Sequence, residues 1–398
     1  MWLLCGALLL VGYGTNISSP LLVVYRERLD LSDSATMAIF TVYVFGIVST
    51  LLIAGPASDR YGRRVIVIPF TMLSAVASLV LIAGQNSFWL MLLGRYLLGA
   101  TSGAALGTGT AWMQELAGVG NEQRTALLAT IVTYFGFGIG PVTSAIFHTI
   151  DVNPLTWPYV LHAAITFAAL PLLLRLPETV AINDPAVRAR KIRPQLGVPP
   201  AARRVFWLIV VPAALWIFAF PSTSFALFPV IVADSIPDFD VVIAAASAAA
   251  TAWSALLARP IVDRLGIRRG LPAGVLLGVV GYIFGTAAFS FDVPWWVIPA
   301  AIALGASSGT ITASSLGILS EVAEPEKRGT INSTVFLLAY PGMTMPIALT
   351  IVAQWVDLSA ALTGVTLLAI GVLIWSTTMY RVEPVSYTHL TLPTNREV

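Results

Sequence analysis

The stretch "GPASDRYGRRVIV", Gly55 to Val67, gathers the carboxylate of Asp59 and the guanidiniums of Arg60, Arg63 and Arg64, punctuated by Gly55 and Gly62. A second knot, "RPIVDRLGIRRG", repeats much of this with Asp263, Arg264, Gly266 and Arg268. A carboxylate among arginines makes ion pairs that form and break with geometry, which is the chemistry of a clasp rather than of bond cleavage. Glu115 with Arg124 and Glu321 with Arg328 flank the next polar turns, and a latch or a solvated loop pair fits them equally. Arg95 stands alone inside an apolar run, where a cation is costly and faces a cavity or a partner. It reads as a group for anionic solute or proton coupling, with snorkelling to the surface as the competing reading. His148 and His162 are of the residue type suited to proton coupling near neutral pH, and are equally ordinary helix residues. Cys5 has no second cysteine to pair with. With no HExxH, no GxSxG, no ATP-binding motif and no metal-ligand cluster, an enzyme and a bound cofactor or metal are not expected.

These groups sit in an unusual solvent. Of 398 residues, 57% are hydrophobic and 11% charged, with mean hydropathy +0.84. A soluble domain carries about 25% charged residues, so the chain belongs in lipid. Apolar runs of about 20 residues cross a bilayer as helices. Twelve are expected, at 2–25, 35–55, 65–84, 88–111, 125–148, 157–174, 205–232, 241–258, 271–290, 294–319, 331–353 and 358–379. Placing the first loop outside leaves eighteen lysines and arginines on inner segments against Arg26 and Arg28 outside. That bias puts both termini and both knots in the cytoplasm. The expected location is a cell membrane, inner or plasma. The net charge of +2 calls for no nucleic-acid partner; lipid bilayer and a small-molecule solute are the expected partners of a monomer.

A basic, proline-bearing linker, 175–204, divides the chain into six-helix bundles at 1–174 and 205–380. Asp59, Arg60, Gly62 and Arg64 recur 204 residues later, Arg124 recurs as Arg328 at the same offset, and Glu115 recurs as Glu321 206 later. Such a duplication marks a two-lobed transporter with its site between the lobes. Residues 385–398, "VSYTHLTLPTNREV", lack periodicity and read as a translated library adapter. Met1 falls abruptly inside the first apolar run.

The Gly55–Arg64 pattern is similar to the G-x-x-x-D-R-x-G-R-R signature of the major facilitator superfamily. "GRYLLG" around Arg95 resembles that family's fourth-helix motif. "GFGIGP", with Gly136, Gly140 and Pro141, resembles the fifth-helix motif of its drug/proton antiporter-type exporters, and "LPET" falls where members leave helix six. The resemblance implies an all-α membrane fold of two pseudo-symmetric six-helix bundles. It implies alternating access driven by the proton-motive force, with efflux of an amphipathic organic compound. A proton-coupled importer of organic acids, nucleosides or sugars is the nearest alternative, and a non-transporting membrane sensor the alternative of another class. It further implies that Asp59 meets the start of helix eleven, near Asn332, only when the cytoplasmic halves close, and that Gly136, Gly140 and Pro141 seal the outer side. Helices one, four, seven and ten would line the cavity, which offers Tyr13, Asn16, Trp112, Phe220, Thr223 and Thr310. Tyr43, Tyr134, Trp253 and Tyr340 stand on neighbouring helices. Three departures stand out: Arg259 replaces Gly55 in the second knot, Leu98 precedes Gly99, and helix one carries no acid.

Overall fold

A computed structural model describes residues 1–118, 120–194, 196–324 and 327–382. The adapter-like tail at 385–398 lies outside the described residues. The helices in order are α1 (Trp2–Asn16, resuming as Leu22–Arg28), α2 (Asp33–Tyr61), α3 (Arg64–Gly84), α4 (Phe88–Ala117), α5 (Glu122–Thr149) and α6 (Trp157–Leu173). After the linker come α7 (Pro200–Ser235), α8 (Asp240–Leu265), α9 (Ile267–Ser290), α10 (Pro294–Val322), α11 (Arg328–Val352) and α12 (Leu358–Val382). Nine of these are long and apolar enough to cross a membrane among the described residues. The shorter α1 and α6 and the 30-residue α4 complete a set consistent with twelve. Helices are the natural solution in lipid because each satisfies its own backbone polar groups.

Each bundle is drawn together by small residues. In the first, Gly46 of α2 and Gly99 of α4 let the backbones touch, since a Cβ on Gly99 would lie 2.0 Å from the Tyr43 carbonyl oxygen. Gly12, Gly136 and Gly140 do the same between α1 and α5. In the second, α9 packs on α10 and α12, and α7 on α10. Glycine and other small residues are the usual means of close helix contact in membranes.

The runs read as continuous at 2–25 and 205–232 are interrupted. Pro20 cannot donate to residue 16, and α1 breaks between Asn16 and Leu22. The freed carbonyls find side chains: Ser144 Oγ donates to Ile17 O at 2.7 Å and Arg95 Nη1 to Thr15 O at 2.8 Å. α7 widens into π turns at Phe206–Val210 and Thr223–Leu227, the second just after Pro221. Several spans also run past their apolar cores. α2 continues to Tyr61 and carries Asp59 in its last turn, and α11 starts at Arg328 rather than 331.

The lobes meet along α5 against α8 and α2 against α11. α2 packs on the second part of α11, 340–352, whereas Arg328–Ala339 packs on α7 and α10 of its own lobe. The lobes therefore touch at mid-depth and at the rim away from the knots, and part toward the knot rim.

Candidate functional site: a charged rim and an aromatic midline

Gly62 ends α2 with φ +105, a conformation natural only to glycine. The turn swings Arg63 back onto Asp59 at 2.6 Å and Glu115 of α4 at 2.7 Å, with Ser58 Oγ accepting at 2.6 Å. Burial works against the Arg63 charge, but hydrogen bonding and attraction from Glu115 and Asp59 outweigh it and hold its pKa above the ordinary arginine value. Burial likewise pushes Glu115 up, and hydrogen bonds from Arg63 and Thr179 outweigh that and hold its carboxyl below the usual range. Arg60 lies over the Tyr61 ring. Arg190 of the linker donates to the Asp59 carbonyl at 3.3 Å.

One residue of this knot escaped the sequence reading. The Glu178 carboxylate accepts the backbone N–H groups of Arg63 (2.9 Å) and Arg64 (3.0 Å) at the start of α3, and those of Thr179 (3.0 Å) and Val180 (3.1 Å) in its own turn. It fills the space where a Gly62 Cβ would be, 2.4 Å from Oε2. Thr179 Oγ1 donates to Glu115, Arg64 Nη2 to Leu174 O at 2.7 Å, and Trp112 Nε1 to Pro177 O at 3.1 Å. The exit of α6 is thus mortised into the knot. Its signal was the "LPET" string, with an acid five residues after the end of α6.

The second lobe repeats the plan with its arginines exchanged. Glu321 pairs with Arg268 at 2.9 Å, as Glu115 does with Arg63, although Arg268 aligns with Arg64. Asp263 faces Arg259 at 3.7 Å, and Gly266 ends α8 with φ +79 in open space. Arg264 and Arg124 are exposed, and Arg328 donates to the Ser320 carbonyl at 3.0 Å. Glu115 and Glu321 therefore reach the knots, not the arginines Arg124 and Arg328 beside them in sequence. Asp59 is held within its own lobe, and a Cβ on Gly55 would meet nothing within 4 Å. Gly62, not Gly55, is the glycine that permits close approach in this pose.

At membrane depth Arg95 is 1% exposed. Its Nε donates to Ile39 O (3.2 Å), Nη1 to Thr15 O (2.8 Å) and Ser18 Oγ (3.3 Å), and Nη2 to Phe40 O (3.3 Å). Its guanidinium carbon lies 5.0 Å from the Tyr43 ring centroid and 5.4 Å from that of Phe40. It neither snorkels nor faces a carboxylate; it cross-braces broken α1 to α2. His162 is equally absorbed. Nε2 lies 3.0 Å from the Leu10 carbonyl, which only accepts, so Nε2 carries hydrogen and Nδ1 takes the Ser78 hydroxyl at 2.8 Å. Tyr13 stands edge-on to this ring.

The other candidates divide. Trp112 is buried beneath the knot, and Phe220, Thr223 and Thr310 lie inside the second lobe, where Thr223 meets Tyr282 Oη at 3.1 Å and Phe220 packs on Trp216. Asn16 Nδ2 donates to Phe137 O at 3.3 Å. Aromatic rings gather where the lobes face each other. Phe218 and Tyr340 stack 4.7 Å apart, and Tyr340 begins the part of α11 that packs on α2, the helix of Tyr43. Trp253 of α8 stacks on Phe135 of α5 at 5.6 Å. Gly136 and Gly140 face α1 rather than the opposite lobe, with Pro141 continuing the helix. Gly138 between them receives the Trp253 indole, 2.3 Å from where a Cβ would stand. Gly138→Val should therefore push Trp253 away and raise the population with this interface parted. Faster labelling of Ala245→Cys by a membrane-impermeant thiol reagent would show it; an unchanged rate would deny Gly138 that role.

Comparison with known proteins agrees with this geometry. The family model described as Major Facilitator Superfamily matches residues 4–345. The tetracycline resistance protein, class E, of Escherichia coli is 28% identical over 309 residues, 72% of this chain and 71% of that protein. A D-xylose transporter of Levilactobacillus brevis is 28% identical over 176 residues, 43% of this chain but only 37% of that protein. The crystal structure of the human organic anion transporter MFSD10 covers 94% of this chain and 98% of its own, with TM-score 0.67 and 16% identity, a likeness of fold.

Proposed function

We propose, from the premise that this chain belongs to the major facilitator superfamily, that it is a secondary active transporter exporting a small amphipathic organic solute by alternating access. The observation that carries this reading is the asymmetry of the two rims. Asp59 is held by its own lobe while the lobes stay in contact at the opposite rim, as one half of a rocking cycle requires. The lysine and arginine bias makes the knot rim cytoplasmic, so this pose opens inward, in a cell membrane with both termini inside. Closing that side brings Asp59 to the positive N-terminal end of α11, an attraction of roughly 0.3–1 kcal/mol.

The midline rings favour an amphipathic solute over a sugar. Phe218, Tyr340, Phe135 and Trp253 offer ring faces and edges with a single hydroxyl among them, and Arg95 has its guanidinium engaged by carbonyls. Stacking and cation–π attraction hold flat or cationic organic molecules on such walls. An anionic solute, admitted on the strength of Arg95 as a binding group, loses that support in this pose. Energy comes from the proton-motive force, and the protein works as a monomer without a cofactor.

The test is flux from purified protein in liposomes under an imposed pH gradient, against a library of planar aromatic, cationic and sugar solutes. Pumping of the first two classes and indifference to sugars is expected; absence of any flux or counterflow would reject transport. Asp59→Asn in the same vesicles should lower the rate at least tenfold while reconstitution is normal, and full-rate transport by that variant would remove the latch.

A further inference from the structure

We infer that Arg26 is the switching contact of the outer rim, a guanidinium shared by one acid on each lobe that passes from both to one as the rim opens. At the end of α1, Arg26 Nε lies 3.2 Å from Asp33 Oδ1 at the start of α2, in its own lobe. Its Nη1 lies 3.6 Å from Asp234 Oδ1 at the end of α7, in the other. A second crossing contact, Gln354 Nε2 to Ser34 Oγ at 3.2 Å, flanks it. All five residues border one cavity of about 460 Å³ between the lobes.

The geometry explains why this is a switch and not a rivet. Asp234 is 81% exposed at its side chain and Arg26 26%, so water reaches the crossing pair and keeps it weak. Asp33 has a different duty. When the lobes separate, Asp234 leaves with the second, and a lone Arg26 would lose its crossing partner. Asp33 travels with Arg26 on the first lobe; in the closed rim it competes with Asp234 for one guanidinium and repels that carboxylate, and both costs are relieved when the rim opens. The two acids therefore bias the equilibrium in opposite directions: Asp234 favours the closed outer rim and Asp33 favours the open one. The knot rim shows a related economy, since Arg63 keeps Asp59 and Glu115 as same-lobe partners while that side is apart.

This inference rests on the alternating-access reading, but its readout needs no flux. Spin labels at Trp89→Cys and Phe291→Cys, exposed on opposite lobes near the outer rim, report the rim's opening as a distance distribution in liposomes. Asp234→Asn should raise the ratio of long to short distances by about two- to fivefold, the range an exposed pair allows. Asp33→Asn should lower it. Arg26→Asp with Asp234→Arg should also lower it, because two acids of the first lobe would then face the one guanidinium of the second, and high salt should shrink every difference. An unchanged ratio in Asp234→Asn, or a shift of the same sign in both asparagine variants, overturns the assignment. Opposite shifts in protein that moves no solute would sink the transport reading and leave the switch standing. Flux with unresponsive distances would do the reverse.

Discussion

Replacing Arg95 with alanine is expected to unfold the first lobe more readily, and not merely to blunt an otherwise intact site. Four hydrogen bonds disappear at once, three of them to the carbonyls of Thr15, Ile39 and Phe40. Thr15 lies where α1 breaks, so its carbonyl has no helical donor to return to. At 1% exposure no bulk water replaces the guanidinium, and the site is left with an unpaired Thr15 carbonyl and a void. Buried acceptors left unpaired cost about 1–3 kcal/mol each, and truncating a large buried side chain costs a few more. A net loss on the order of 3 kcal/mol is expected after relaxation. Cys5 provides the measurement. It is the chain's single thiol and is buried, so a thiol-reactive fluorophore reports thermal opening of this lobe. Arg95→Lys should fall between, because one ammonium cannot reach the carbonyls of two helices in a fixed plane. An alanine variant with the native opening temperature would show that the brace carries no stability. If that variant also transported nothing, Arg95 would have to act on solute or proton directly.

Arg95 also marks the boundary of what the sequence could reveal. Its type and depth announced importance, because a cation in an apolar run needs a partner. The partners were hidden, since backbone carbonyls have no residue letter: that of Thr15 lies where α1 breaks, and those of Ile39 and Phe40 lie within α2. The membrane class and the all-helical fold were legible because they rest on hydrophobic length, which survives without coordinates. Side-chain direction was not. Trp112, Phe220, Thr223 and Thr310 stand on helices expected to line the cavity, but each turns into its own lobe. Neighbour-in-sequence pairing misled at the knots. Glu115 and Arg124 suggested one another, yet α4 and α3 bring Glu115 to Arg63, 52 residues away. The outer-rim pair was equally invisible, because Arg26 and Asp234 belong to different halves of the chain.

Glu178→Gln is expected to loosen the knot and slow transport together. In the native arrangement one carboxylate receives four backbone N–H groups, two from the uncapped start of α3 and two from its own turn. Glutamine keeps the shape but turns one oxygen into an amine, so N–H groups that met an acceptor would meet another donor. The negative charge facing the positive end of α3 is lost as well, worth roughly 0.3–1 kcal/mol in itself. Unsatisfied donors add about 1–3 kcal/mol. The consequence spreads along the mortise. With Glu178 displaced, Thr179 leaves Glu115, and the Pro177 carbonyl leaves the Trp112 indole. Arg63 then has fewer neighbours fixing its posture between Asp59 and Glu115, and Asp59 is freed in the pose where it should be restrained. The reading predicts a lower opening temperature by the Cys5 assay, at least a tenfold fall in flux, and faster tryptic cleavage at Arg175 and Arg188 in the linker. Gly62→Ala should give the same three results from the other side of the joint, because its Cβ would displace the carboxylate and strain the φ +105 turn. Normal flux in Glu178→Gln, with cleavage unaltered, would mean that the knot works without its plug and that the exit of α6 is packing alone.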